Sequence, residues 1–375
     1  MTTRLLYKSA FALVVLLSVS LVVGCGGAIS SPGGSSATVT PTSASPTPAS
    51  PTASTPTTPS GVPFVQAVAV NPATHKAYIA VNTYAGTAGV FTGEVLVLDG
   101  TTNSITAKIP VGNYADAIVV NPTINRIYVG NANDKSVSII NGANNEVVTT
   151  LAIPASPYTM AINTTTNSIY VFDGTSSTMD VINGATSTLA ASVDVGVYAD
   201  AATVDETTQT LFLAGMNNAP GDETPALYAV NGTSFSVSPA IPTGTKGNVD
   251  FAVAVNDATG KVYTLPSWTS QTFVMDSASN AVAGPISTGV QPNSLAVDTA
   301  TNTVYIADYF NGTVLALDGG SNTIISTIQT PSVHMAFVAV DPSSNVIYAA
   351  NYDAAPSVTV INGSSNSIIT TIPLQ

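Results

Sequence analysis

The chain has 375 residues, of which 8% are charged, and 21 acidic against 8 basic side chains give a formal net charge of −13. Because affinity for nucleic acid comes mainly from cations that contact phosphates, this balance excludes DNA and RNA from the expected partners. It equally excludes attachment to anionic lipid through a basic patch. The length is sufficient for a large buried core.

Residues 1–24 form a predicted signal peptide. Two basic residues, Arg4 and Lys8, precede a mostly apolar run over residues 10–23. This run is shorter than the roughly 20 apolar residues of a membrane-spanning helix, and its position after basic residues is typical of an export signal. We therefore expect the mature protein to be exported.

The apolar run ends in Leu21-Val-Val-Gly-Cys25, which resembles the lipobox of bacterial lipoproteins. In that motif the cysteine receives a lipid and becomes the new N-terminus, so the resemblance implies lipidation of Cys25 and localisation at the bacterial cell envelope, on the outer surface or in the periplasm. This lipid would be the protein's only contact with the membrane. The alternative is an ordinary signal peptide that carries a cysteine near its end. Cys25 is the only cysteine of the chain, which excludes a disulfide within one chain.

The segment 25–61 is a predicted tether. From about Ile29 to Ser60 it consists mainly of Ser, Thr, Pro, Ala and Gly, without a charged residue. Such a composition cannot bury enough apolar surface to offset the entropy of ordering. We expect a disordered, extended chain that can reach on the order of 100 Å from the lipid. The alternative is a spacer with no role beyond solubility.

A motif of two short strands recurs seven times over residues 62–375. Its first copy runs from Ala69-Val-Asn-Pro to Ala77-Tyr78, and the aromatic position returns at residues 128, 170, 212, 263, 305 and 348, at intervals of 42 to 51 residues. Intervals of this length with four short strands per repeat are typical of propeller blades. The sequence therefore predicts an all-β fold, a seven-bladed β-propeller with four antiparallel strands per blade.

The second repeat illustrates the predicted strands, which we call A to D in each blade. They lie near Ala117–Val120, Arg126–Gly130, Ser136–Ile140 and Glu146–Ala152. The C–D turns contain Asn-Gly or Asp-Gly in six repeats and Asp276-Ser in the fifth. We expect these glycines to supply the positive φ of a hairpin turn. Because the first repeat opens with strand A and the last closes with strand D, each blade is predicted to be contiguous in sequence.

The repeat resembles the YVTN family of β-propeller repeats. The features that carry the resemblance are an apolar strand that ends in Asn or Asp, often before Pro, then a Tyr-centred strand, then Val-x-Val-Ile-Asn/Asp-Gly and Ile-x-Thr-Ile-Pro. The Tyr-Val-Thr-Asn core is degenerate, as in Tyr128-Val-Gly-Asn131, and departs most at Phe212-Leu-Ala-Gly215 and Tyr263-Thr-Leu-Pro266. The resemblance implies a propeller fold and a secreted or surface location in bacteria or archaea, and it implies no activity.

The two faces of the predicted propeller differ in how much their sequences vary from repeat to repeat. The D–A and B–C loops gather on one face, here called the loop face, and the A–B and C–D turns gather on the other, the turn face. The turns are alike between copies whereas the loops differ, which makes the loop face the predicted binding surface. The candidate ligand-binding residues are Tyr114, Asp116, Tyr158, Tyr198, Asp200, Asp250, Asn293, Asp308, Tyr309 and His334.

These side chains favour a neutral or cationic ligand. Aromatic rings stack on sugars and peptide side chains, and carboxylates accept hydrogen bonds from hydroxyls or pair with cations, so a glycan, a peptide or a protein is expected. A structural alternative is left open: Tyr114 and Tyr198 would wedge between blades, while Asp116 and Asp200 would cap strand-end amides. Repeated positions serve structure more often than binding.

An enzyme of the lactonase or lyase type is the second class of function. The chain has two histidines: His75 is expected to be solvent-exposed in an A–B turn, and His334 could meet Asp116 or Asp308. Because a catalytic base needs a positioned partner, we predict no catalytic residue, no metal ligand and no cofactor. A calcium ion held by carboxylates from several repeats is left open. A structural surface coat is a third class, although a monomer is expected.

Overall fold

The computed structural model describes residues 61–375, apart from residues 88, 218–224, 244–249, 267–268 and 289–291. The predicted signal peptide 1–24, the lipidation site Cys25 and the tether up to residue 60 lie outside these residues. Within the described part the chain forms seven antiparallel sheets of four strands, as predicted. That part contains no helix long and apolar enough to cross a membrane.

The strands are labelled β1 to β28 in chain order, four to a blade. They are Pro63–Asn71, Lys76–Tyr84, Phe91–Asp99, Ser104–Val111; Ala115–Asn121, Arg126–Asn131, Ser136–Asn141, Glu146–Ala152; Pro157–Asn163, Ser168–Asp173, Thr178–Asn183, Thr188–Asp194; Val197–Asp205, Thr210–Asn217, Ala226–Asn231, Ile241–Pro242; Asp250–Asn256, Lys261–Pro266, Gln271–Asp276, Val282–Ser287; Pro292–Asp298, Thr303–Asp308, Thr313–Asp318, Thr323–Gln329; Met335–Asp341, Val346–Asn351, Ser357–Asn362 and Ser367–Pro373.

Every blade is contiguous in sequence, as predicted from the order of the repeats. Blade 1 pairs β1-β2-β3-β4 and blade 7 pairs β25-β26-β27-β28, so no N-terminal strand completes the last sheet. The predicted strands of the second repeat correspond to β5 to β8. Strand A of each blade contacts strand A of both neighbours, including β25 with β1, so the A strands form a closed inner ring.

The buried core is divided into seven clusters, one at each interface between blades. The interface of blades 1 and 2, for example, packs Tyr78 and Val95 against Ile118. Because each inner strand is covered on both sides, strands A and B are almost wholly apolar instead of alternating. The ring closes in the same way, with Ile79 and Leu96 of blade 1 packed against Tyr348 of blade 7.

The repeated tyrosine contacts the C–D turn of the next blade. The hydroxyl of Tyr128 lies 3.4 Å from the carbonyl oxygen of Gly184, and Tyr305 and Gly363 have the same arrangement at the same distance. A Cβ atom added to Gly184 would lie 2.6 Å from the hydroxyl oxygen of Tyr128, closer than real contacts allow. The glycine is therefore required because a neighbouring side chain lies against it.

The expectation that this glycine supplies a positive φ is wrong. In the C–D turns the left-handed residue comes three positions later, as at Asn103 and Asn145. The residue that opens the turn accepts the amides that follow, since Asp99 Oδ1 lies 2.9 Å from the nitrogen of Thr101 and 3.0 Å from that of Thr102. Asparagine tolerates the left-handed conformation, so the turn does not need glycine at that position. Glycine is needed three residues earlier, where the tyrosine of the preceding blade leaves no room for a side chain.

The A–B turns join neighbouring blades through a repeated hydrogen bond on the turn face. The last residue of one strand A contacts the left-handed residue of the next A–B turn, as in Asn71 Nδ2 to Asn125 Oδ1 at 2.9 Å. The ring-closing member of this series is different: His75 Nδ1 lies 2.8 Å from Asp341 Oδ2. The side chain of His75 is 41% exposed and that of Asp341 is buried. His75 therefore links the first blade to the last through a side-chain contact. Its predicted position in a solvent-exposed turn did not indicate this contact.

The outermost strands carry exposed apolar residues. The most exposed are Val148, Ile325 and Ile369, at 53%, 55% and 47%. Each is the extra residue of a β-bulge in the pairing of strands C and D. Since a bulge interrupts the row of backbone groups that another strand would pair with, it disfavours association of sheet edges.

Candidate functional site

The inner ring presents one irregular residue per blade near the loop face. In the pairing of strands A and B, every strand A skips one residue close to its start, which is a β-bulge. Bulges re-aim a side chain and are frequent beside binding sites. Six residue types occupy the seven bulged positions, which are Gln66, Asp116, Tyr158, Asp200, Phe251, Asn293 and Ala336.

Four of the predicted site residues are bulge residues of this ring. Asp116 is 5% exposed, whereas Tyr158 and Asp200 are half-buried. A Cβ atom on Gly174 would meet the Tyr158 ring at 2.7 Å, so this ring lies against the B–C loop of its own blade. Asn293 Nδ2 donates to the carbonyl oxygen of Ala336 at 2.8 Å and thereby links two neighbouring bulges.

Three further predicted residues occupy other positions. Tyr198 is half-buried at the start of β13, two residues before a bulge. Asp250 is the first residue of β17, and its backbone is paired with Pro266. Asp308 is fully buried, and its Oδ1 accepts the amide of Phe310 at 3.2 Å. Asp308 therefore fixes the B–C loop of blade 6.

Tyr114 lies in an aromatic cluster that spans blades 7, 1 and 2. Its ring centroid is 5.0 Å from that of Phe91 and 6.3 Å from that of Phe64, and Phe64 is 5.8 Å from Tyr352. These four side chains, which we call the aromatic arc, are half-buried. Gln66 Nε2 donates to the Tyr114 hydroxyl at 2.7 Å. Tyr114 thus packs between blades 1 and 2, as the structural alternative expects. It also lies on the face that is predicted to bind a ligand.

Two phenols of the arc are affected by a nearby carboxylate, Asp116. Burial raises the pKa of Tyr114, and the charge of Asp116 raises it further. Burial also raises the pKa of Tyr352, and smaller increases come from the phenols of Tyr114 and Tyr309 and then from the charge of Asp116. The charge of Asp116 therefore acts on both phenols.

A second group continues the arc towards blade 6. His334 Nδ1 lies 2.8 Å from Asp353 Oδ1, and the His334 ring is 4.8 Å from that of Tyr309. The expected partners of His334, Asp116 and Asp308, are therefore wrong. Burial raises the pKa of Tyr309, and Asp353 adds to this effect.

The chemistry of this pair follows from its donors and acceptors. An ionised carboxylate only accepts hydrogen bonds, so Nδ1 of His334 carries the proton and a neutral imidazole presents Nε2 as an acceptor. Next to the pair, Phe310 and Val333 are 52% and 62% exposed. Among the described residues no group of three or more His, Cys, Asp or Glu side chains is placed to hold a metal ion.

The candidate residues of the sequence analysis did not include Phe64, Gln66, Phe91, Tyr352 or Asp353. Aligning the bulges shows that Phe64 and Gln66 occupy the same repeat positions as Tyr114 and Asp116. That signal was present in the sequence, but the first repeat has no preceding D–A loop to draw attention to it. The contact of Phe64 with Tyr352 depends on ring closure and has no local signal.

Comparison with known proteins identifies the fold alone. No protein-family model matches the sequence, and no curated protein matches it. Among solved structures, Kuenenia stuttgartiensis hydrazine synthase aligns with a TM-score of 0.65 at 16% identity, over 87% of this chain and 99% of that chain. The Cps50 (Swd1) β-propeller domain of Myceliophteria thermophila aligns at 0.61 and 9% identity, over 80% and 97%. A chain of a mitotic checkpoint complex aligns at 0.62 and 12% identity, over 79% and 86%.

Proposed function

We propose that this protein is an exported, lipid-anchored propeller of the YVTN type that acts as a binding module at the bacterial cell envelope, with its ligand on the loop face. The ligand is a peptide, a protein or a glycan. The observation that carries the proposal is the contrast between the two faces. The bulged positions near the loop face differ in all but one pair of blades, whereas the turn face repeats one interblade contact with little change.

The aromatic arc supplies the physical basis for binding. Half-buried rings with a carboxylate among them offer an apolar surface and a polar anchor within one site, which is the usual composition of a ligand site. The propeller in the mitotic checkpoint complex belongs to a protein assembly, which is consistent with such a role for this fold.

Anchoring is tested separately from binding. Cells that express the full chain are labelled with a radioactive fatty acid, and label in the wild-type protein but not in Cys25→Ser is the expected result. A wild-type chain that is cleaved and released without label would overturn the lipid anchor and leave the propeller unaffected.

Binding is tested with the full chain carrying Cys25→Ser on glycan and peptide arrays. We expect bound ligands to be lost in Tyr352→Ala, whose ring lies in the arc. The matched control is Tyr84→Ala, whose ring contacts Phe91 at the outer end of the cluster. Equal binding by the two variants, or no binding by the parent chain, would contradict the proposal.

One observation favours a second candidate, an enzyme of the lactonase or lyase type. The contact of His334 with Asp353 orients an imidazole as a general base requires. Hydrolysis of lactones by the parent chain, lost in His334→Gln, would support this candidate.

A further inference from the structure

Several turns of the propeller contain an Asn-Gly pair, a dipeptide that can lose ammonia without an enzyme. The backbone nitrogen that follows an asparagine can attack the carbon of its side-chain amide, and glycine has no side chain to hinder the approach. Four such pairs lie in C–D turns, at Asn141, Asn183, Asn231 and Asn362. A fifth, Asn311-Gly312, lies in the B–C loop of blade 6.

The reaction consumes water and releases ammonia, and it needs no oxidant or reductant. The glycine nitrogen forms a bond to Cγ of the asparagine, and the bond from Cγ to the side-chain nitrogen breaks. That nitrogen leaves as ammonia and takes the proton of the glycine amide. Water then opens the cyclic imide, which gives aspartate if the new bond is cleaved and isoaspartate if the original peptide bond is cleaved.

The C–D turns keep both reacting groups in hydrogen bonds. In each of the four turns the glycine N–H donates to a backbone carbonyl and Oδ1 of the asparagine accepts a backbone amide. In blade 3, for example, the nitrogen of Gly184 lies 2.8 Å from the carbonyl oxygen of Asn167. Both groups must leave these partners before the imide can form. Deamidation of a folded turn therefore requires its local opening.

The turn of blade 4 is supported by fewer strand pairs than the other three. Strand D of blades 2, 3 and 7 has seven residues and pairs with strand C directly from the turn. In blade 4 this strand is β16, which has two residues and pairs with Ala226 and Leu227, far from the turn. Closer to the turn there is an isolated bridge from Val230 to Val237. Asn231 itself is exposed.

A side chain replaces part of the missing ladder. The amide of Ala229 donates to Oγ of Ser238 at 2.9 Å, where a regular strand would offer a backbone carbonyl. Regions with few backbone pairs and exposed residues open at the lowest free-energy cost. The turn at Asn231 should therefore open more often than the turns at Asn141, Asn183 and Asn362.

The pair in the B–C loop is held firmly. Gly312 is buried, and its carbonyl oxygen accepts the amide of Thr330 at 3.1 Å and the hydroxyl of the same residue at 2.6 Å. Asn311 Nδ2, which would be the leaving nitrogen, donates to Oδ2 of the buried Asp308 at 2.5 Å. Opening this loop breaks all of these contacts, so Asn311 should react slowly.

We propose that Asn231-Gly232 is a site of spontaneous deamidation and the first of the five pairs to react in the folded protein. Aspartate would preserve the turn, since Asp99 accepts the equivalent two amides in blade 1. Isoaspartate adds a carbon to the main chain beside Gly232, whose carbonyl oxygen lies 3.4 Å from the Tyr170 hydroxyl. That product should loosen the contact of blades 3 and 4. The inference is independent of the proposed binding function.

The test is incubation of the full chain carrying Cys25→Ser in mildly alkaline buffer, followed by digestion with pepsin in acid and mass spectrometry of the five peptides. We expect Asn231 to convert about tenfold faster than the other four, because the rate follows the open fraction of each turn. A parallel incubation in urea is the control. There the five rates should agree within about twofold, since every pair is Asn-Gly.

Two variants test the structural cause. Ser238→Ala removes the acceptor of the Ala229 amide and should speed conversion of Asn231 about threefold or more, the effect of one lost hydrogen bond. The matched control is Thr150→Ala, which removes a hydroxyl that lies 3.4 Å from Ser138 Oγ in blade 2. Because backbone pairs remain in that strand, conversion of Asn141 should change by less than about twofold.

Three outcomes would overturn the inference. Equal rates at the five pairs in the folded protein, or no conversion at Asn231, would show that the turn of blade 4 does not open preferentially. The same ranking in urea would assign it to the local sequence instead of the fold. An unchanged rate at Asn231 in Ser238→Ala would show that the shortened outer strand does not govern opening.

Discussion

The Tyr128 hydroxyl lies 3.4 Å from the carbonyl oxygen of Gly184, so strand B of blade 2 contacts the C–D turn of blade 3. This contact explains why tyrosine and glycine recur together in the repeat. Blade 4 is the exception, because it has Phe212 in place of tyrosine, and the following blade has Ser277 in place of glycine. In that blade Gly260 also replaces the left-handed asparagine that would occupy the same space.

Replacing Gly184 with serine should destabilise the propeller by about 1 to 3 kcal/mol, because the new Cβ overlaps Tyr128 and Asn167. The measurement is the free energy of unfolding in urea. The residues found at the equivalent interface are Ser277, Gly260 and Phe212. Introducing all three here, as Gly184→Ser with Asn167→Gly and Tyr128→Phe, should recover part of the lost stability through a favourable coupling energy.

The control for this series is Ser277→Gly. At this interface Phe212 and Gly260 do not crowd the serine side chain, so its removal should change stability by less than about 0.5 kcal/mol. Strictly additive effects of the changes at Tyr128, Asn167 and Gly184 would disprove the steric explanation.

The contact of His75 with Asp341 makes ring closure sensitive to acid. Burial raises the pKa of Asp341, but hydrogen bonds from Ser343 and His75 outweigh it, so the pKa lies below the ordinary value of 3.8. A lowered folded-state pKa means that this stabilisation is present above the ordinary pKa and is lost as the pH falls through the folded-state value. We expect the melting temperature to decrease when the pH is lowered below about 4.

Asp341→Asn tests this expectation, because other blades use asparagine at this position, as at Asn71. The variant should lose about 1 kcal/mol at neutral pH and show a weaker acid dependence than the wild type. His75→Asn should move the acid transition to higher pH. Identical acid profiles for all three proteins would show that this contact does not stabilise closure.

Asp257 should destabilise the protein at neutral pH. Burial raises its pKa to about 6; the amide of Glu206 opposes this, and the charges of Asp205 and Glu206 add to it. Because the folded protein binds this proton more tightly than the unfolded chain, stability falls as the pH rises from about 4 to about 6.

Asp257→Asn retains an oxygen for the Glu206 amide, which lies 3.2 Å from Oδ1, and removes the charge. We expect a gain of about 1 kcal/mol at pH 7, after allowance for solvent screening, and no gain below about pH 4. Unfolding in urea at the two pH values measures it. A gain of equal size at both would indicate a cause other than the charge.

The fold could be predicted because its signals are local and repeated. The Tyr-centred strand and the Asn-Gly turn each lie within one repeat, and seven copies fix the blade count. The site depends on contacts between repeats: Phe64 meets Tyr352 only after the ring closes, and His334 selects Asp353 over Asp308 through loop geometry. A bulge in an inner strand also cannot be recognised from the sequence. It would show as a break in the alternation of apolar and polar residues, and these strands are almost wholly apolar.

The tautomer of His334 provides the last prediction. A neutral imidazole free in water favours the proton on Nε2, whereas the contact with Asp353 requires it on Nδ1. Nitrogen NMR of the labelled protein, recorded at a pH where the ring is neutral, should show the Nδ1-protonated form, and Asp353→Ala should shift the population towards Nε2. Val333, whose amide lies 3.1 Å from Asp353 Oδ2, should lose hydrogen-exchange protection in the same variant. If the wild-type ring is protonated on Nε2, the oriented acceptor does not exist, and the case for base catalysis at this loop face fails with it.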